Sequence, residues 1–182
     1  MLNEVKDELI TFGDSLVRQT RRNLKSEKMI SSGVLYDSVG FSMDQTLTGF
    51  IFYFEMVEYG FYQDEGVQGA NPGKVNVNGK RGIQKAPGSR FKFGSGKGKG
   101  SLFKGLDPWV VKKNIAPRNK KGQFMSRASL KTAMAKSIFY QGLEPRHFFS
   151  NAWDKTTKHI DNTLATAYIE DVEAIYIELI HK

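Results

Sequence analysis

The glycine–lysine run Gly94–Ser101 (GSGKGKGS) has the residue types that cradle phosphate: a permissive backbone and a lysine charge. Its spacing does not suit that chemistry. A phosphate loop needs Gly-Lys followed directly by Ser or Thr, between a strand and a helix, whereas Gly100 follows Lys99. The histidines are His147, His159 and His181, and none forms the i, i+4 pair that a helical metal site uses. No carboxylate cluster accompanies them, and His147, beside Phe148, reads as a packing or hydrogen-bonding residue. Asp64 and Glu65 close an apparent strand, where adjacent side chains point to opposite faces, so they read as turn or interface residues and not as an acid–base pair. The absence of cysteine excludes disulfides, thiolate metal sites and cysteine nucleophiles. The expectation is a protein that is not an enzyme, with no catalytic residues, no cofactor and no metal.

Charge is the stronger signal. From Gln68 to Arg127 there are fifteen Lys or Arg and one acid, Asp107, a net of +14; the remainder has twelve bases and eighteen acids, a net of −6. Flexible lysines bind phosphate backbones by releasing counterions, without sequence preference, and Phe91, Phe93 and Phe103 can stack on bases. The same residues can dock on an acidic protein surface, ordering as they bind, or simply keep a loop solvated. The candidate docking or DNA-contact residues are Lys80, Arg81, Lys85, Arg90, Lys92, Lys97, Lys99 and Lys104.

The elements that carry these residues follow from periodicity. Leu2, Val5, Leu9, Phe12 and Leu16 mark an amphipathic helix to about Leu24, with Arg18, Arg21, Arg22 and Lys25 at a solvated end that suits its dipole. Val39, Phe41 and Met43, then Phe50, Phe52, Phe54 and Met56, alternate as an antiparallel hairpin whose apolar face needs a cover, the N-terminal helix being the nearest candidate. Gln68 to about Leu106 is expected to be a long loop or extended hairpin, with Val75–Val77 and Arg90–Phe93 as short arms and the glycine–lysine run as its tip. Asp107-Pro108 reads as a helix start. Ser126 caps a further helix through Gln141, which packs across the sheet; Gly142 ends it and Pro145 prevents resumption. From Ser150 the chain reads as helix, with a strand at Ala174–Ile180 as the alternative. Acids at Glu4, Asp7 and Glu8 argue against a signal peptide, and no apolar run nears the roughly 20 residues of a membrane span. The expected product is one α+β domain over residues 1–182. It has an antiparallel sheet, N-terminal, crossing and C-terminal helices, and a basic insertion at about 68–125.

Three segments carry a resemblance. Ser32–Val39 (SGVLYDSV) resembles the lead-in to the first strand of bacteriophage tail-completion, or head–tail joining, proteins. Tyr59–Gly66 (YGFYQDEG) resembles their second motif, with a small departure at Gln63–Val67, and Ile138–Ala152 (IFYQGLEPRHFFSNA) their late helix, glycine turn and last-helix opening. They occur in the family's order; the long basic segment between the second and third departs from it. The residues that match are Gly33, Leu35, Tyr59, Glu65, Gly66, Gly142, Pro145 and Phe148. The resemblance implies a structural protein of the virion neck, present in the host cytoplasm during assembly. It would form a sixfold or twelvefold ring between the portal–adaptor assembly and the tail, around the genome channel, with no membrane partner. Nothing in the resemblance covers the basic segment; from its residues it is expected to dock on a neighbouring subunit, a partner ring or the genomic DNA. The alternative from the residues alone is a nucleic-acid-binding protein without sequence preference, using the Lys/Gly-rich loop.

Overall fold

The computed structural model describes residues 2–30, 32–71, 73, 82–94, 101–119 and 121–180, with backbone only at 101, 103, 104 and 179. The fold is α+β. It divides into two compact units: residues 1–58 with 147–182, and residues 59–146.

The first unit is built on helix α1 (Asn3–Ser26), whose apolar stripe buries Phe12, Leu16 and Leu24. A short helix α2 (Val34–Ser38) leads into strand β1 (Gly40–Gln45), paired antiparallel with β2 (Phe50–Glu55). The register sets Phe41 opposite Phe54 and Met43 opposite Phe52, so Phe41, Phe52 and Phe54 share one face. That face is covered by α1, as the periodicity implies, and by the start of helix α6 (Ser150–Thr156). Phe12 meets Phe52 edge-on at 5.5 Å and Phe149 stacks on Phe54 at 4.3 Å. Such pairs add to plain burial because ring edge and face carry opposite partial charge. A second cluster gathers Leu24, Leu35, Val39 and Phe148, all nearly inaccessible. After one 3-10 turn at Thr157–His159, helix α7 runs from Ile160 to Ile180 and packs along α1. The run Ala174–Ile180 is therefore helix, not strand.

The second unit contains helix α3 (Glu58–Glu65), strand β3 (Val67–Gln68), helix α4 (Ser101–Lys112), helix α5 (Arg127–Gln141) and strand β4 (Gly142–Leu143). Two expectations change here. Tyr59–Glu65 is helical, so Asp64 turns inward to 2 % exposure while Glu65 is only half-buried. Helix α4 starts at Ser101 and passes through Pro108, because Leu106 and Val110, one turn apart, are both buried and hold the helix across the proline. Asp107 is not a cap: it lies 2.8 Å from Lys131 and 3.4 Å from Arg127 of α5. Helix α5 belongs to this unit. Its N-terminus is as read: Ser126 Oγ accepts from the Ser129 N–H at 3.1 Å.

Candidate docking surfaces

The two motif segments that flank the basic stretch meet at one point in the second unit. Val67 and Gln68 pair antiparallel with Leu143 and Gly142. On the other side of the same rib, the Gln68 N–H donates to Phe91 O at 2.8 Å, and the Phe93 N–H donates to Gln68 O at 2.9 Å. Residues 91–93 thus run beside β3 as a third, parallel strand in miniature. Side chains tie the rib further. Gln84 Oε1 accepts from the Gly69 N–H at 2.8 Å, and Ser89 Oγ donates to Gly66 O at 2.7 Å. The Lys85 N–H donates to Gln141 O at 2.9 Å.

Gly66 and Gly142 make this crossing possible. Gly142 has φ +95° and a Cβ there would strike the carbonyl oxygen of Val67; Gly66 has φ +74° and a Cβ would lie 2.6 Å from Leu143 O. Both positions require a residue without a side chain. Gly142 also ends α5, as its place in the sequence indicates. The Arg146 N–H reaches the last carbonyls of α3, at 3.0 Å from Gln63 O and 3.1 Å from Asp64 O. Pro145 lies beside it, 2.8 Å from where a Gly66 Cβ would stand.

The other motif residues are structural too. Gly33, at φ +89°, precedes α2 and accepts the Asp37 N–H at 2.9 Å. Leu35 and Phe148 share one core cluster, and Asn23 Nδ2 donates to Phe148 O at 2.7 Å. Tyr59 lies exposed on α3. His147 is exposed with φ +51°, and its carbonyl accepts the Asn151 N–H, so its backbone rather than its ring serves the fold.

Among the candidate basic residues, Lys85, Arg90 and Lys92 are exposed on the stretch that folds back on β3. Arg90 pairs with Glu65 at 2.7 Å and lies over the Phe91 ring at 4.8 Å. Its exposed pairing is worth little to stability but fixes where its charge sits. The expected arm at Arg90–Phe93 is thus part of the folded unit and not a free projection. Lys104 falls in α4. Lys80, Arg81, Lys97 and Lys99, the strand arm at Val75–Val77 and residues 95–100 of the glycine–lysine run lie outside the described residues.

Several residues that organise the molecule gave no sequence signal. Arg21, read as part of a solvated helix end, donates to Tyr36 O at 3.2 Å and Val39 O at 3.0 Å. Asp171 of α7 accepts the first backbone N–H groups of α1, from Asn3, Glu4 and Val5, at 2.9–3.1 Å. Burial works against its charge, but these donors outweigh it and hold its carboxyl below the usual carboxylate range. An open groove of about 420 Å³ lies between α1 and α7, rimmed by Glu4, Asp7, Glu8 and Glu170. Among the described residues no cluster of His, Asp and Glu is arranged to hold a metal, and no helix is long and apolar enough to cross a membrane.

The charge division coincides with the structural one. The first unit has nine basic and fifteen acidic residues, net −6; the second has eighteen basic and four acidic, net +14. Compared with protein-family models, curated proteins and solved structures, the chain matches none.

Proposed function

We propose that this protein is a structural subunit of a bacteriophage neck, forming a ring that joins the portal–adaptor assembly of the capsid to the tail. The observation that carries the reading is the joining of its second and third motifs. Segments 59–68 and 142–146, far apart in sequence, interlock through the β3–β4 pair and the two glycines at their crossing. A structural role asks for such a rigid crossing, and neither segment supplies a nucleophile–base pair. The ring surrounds the genome channel, and the +14 unit is suited to reach a neighbouring protein or the DNA.

Particles made without this protein should accumulate as DNA-filled heads and separate tails, and imaging of intact particles should place it at the neck. Normal joined particles in its absence, or its absence from purified particles, would sink the reading. The net +14 of the second unit also favours a second reading, nucleic-acid binding without sequence preference. In that case affinity for duplex DNA falls steeply and linearly on a log–log salt plot. Retention that does not change with salt refutes it.

A further inference from the structure

Helix α7 carries more apolar surface than a water-facing helix does. Ile169, Val172, Ile175, Tyr176, Ile177 and Ile180 are between 40 % and 65 % exposed. They are spread around the helix, and a helix apolar on several sides is normally covered. Every ionisable side chain on it is acidic, apart from the tyrosines: Asp161, Glu170, Asp171, Glu173 and Glu178, with no base from Ile160 to Ile180. Asp171 is occupied by the start of α1. The outer surface is therefore apolar and negative.

The second unit presents the opposite combination between residues 109 and 124. Trp109, Val111, Ile115 and Phe124 are exposed there, with Phe124 under the Arg118 guanidinium at 3.9 Å. Lys112, Lys113, Arg118 and Lys121 are exposed among them, and no acid occurs from residue 108 to residue 143. The turn after α4 is well tied: the Asn119 N–H donates to Gln123 O at 2.8 Å and Gly122 takes φ +78°. This surface is apolar and positive.

We propose that α7 of one copy docks on the 109–124 surface of the next copy, apolar groups against apolar groups and Glu173 and Glu178 against the lysines. The inference rests on the ring reading and names the subunit contact within it. Charge complementarity selects the second copy as occupant, because one chain carries both halves. Two different surfaces make a head-to-tail contact, and head-to-tail contacts close into rings when the rotation permits. Pairing α7 with another α7 would instead bring acid against acid.

Two charge-reversed variants test this: Glu173→Lys with Glu178→Lys, and Lys112→Glu with Lys113→Glu. All four positions are exposed, and circular dichroism checks that each variant keeps the native spectrum. Sedimentation should show the native protein associating, less so at high salt. Each variant alone should associate about a hundredfold more weakly, since like charges then face each other. The two variants mixed should recover association, because both contacts in an alternating assembly are then complementary. A native protein that stays monomeric at millimolar concentration overturns the proposal. So does a variant that associates normally, or a mixture that does not recover. Rings from both variants alone would remove this interface and leave the neck reading standing; that reading fails only on the particle experiment.

Discussion

Helix α1 starts at a residue, Leu2, that offers no side-chain cap. Its first N–H groups are received instead by Asp171, from the far end of the chain. A helix N-terminus carries partial positive charge, so a carboxylate there acts both as acceptor and as counter-charge. Asp171→Asn keeps one acceptor and removes the charge, and it should lower the melting temperature at neutral pH. The folded pKa of Asp171 is depressed, so its contribution is complete above the unfolded carboxylate value of about 3.9. It is lost as pH falls through the lower folded value. The difference between native protein and variant should thus be constant at neutral pH and close only in strong acid; a gap that closes near pH 6 would contradict the assignment. Thr20 gives a test of opposite sign. It is fully buried, and its Oγ1 has no hydrogen-bond partner among the described residues. Thr20→Val removes an unsatisfied hydroxyl at similar shape, and denaturant unfolding should show a gain of about 1 kcal/mol. Neither residue was legible in the sequence. Asp171 is one acid among several on α7, and Thr20 sits in a helix stripe that its neighbours already define.

Elements were legible where the pattern was local. The α1 stripe, the alternating aromatic hairpin and the Ser126 cap each depend on residues within a few positions of one another. Helix α3 was not, because Tyr59 and Phe61 keep the strand period of two while Tyr59 and Tyr62 are three apart as in a helix, and so short a segment does not decide between them. Helix α4 was hidden by Asp107-Pro108, which outside its packing is a helix start; the burial of Leu106 and Val110 reverses that preference. The miniature rib at residues 67–69 could not be read at all, since it consists of pairings with residues over 20 and over 70 positions away. Two predictions belong to these elements. Ser126→Ala should destabilise by about 1 kcal/mol, the cost of one lost cap. Gly142→Ala should cost more, about 3 kcal/mol, because the positive φ and the clash with Val67 O add together. Equal effects by denaturant unfolding would mean that the β3–β4 crossing yields easily and does not hold the second unit together.

Across the whole molecule, the two units differ in what holds them. In the first, Phe12, Leu16, Leu24, Leu35, Val39 and Phe148 are buried, a core of large side chains. In the second, the buried apolar residues among those described are Val67, Ala86, Leu106 and Val110, and α5 buries none fully. Hydrophobic stabilisation scales with apolar area removed from water, so the second unit has less of it. It also carries net +14, and a large net charge of one sign works against compaction. Salt screens that repulsion over about 10 Å at 0.1 M. The second unit should therefore open first and should gain stability as salt is raised, while the first, at net −6 and with the larger core, changes little. Hydrogen exchange read by mass spectrometry separates the two: amides of α5 should exchange faster than those of α1 at low salt, and the gap should narrow as salt increases. Calorimetry should show two overlapping transitions at low salt that draw together at high salt. A single transition with equal protection of both units at every salt concentration would mean that the charge of the second unit is already neutralised within the fold, and that it is not held in reserve for a partner.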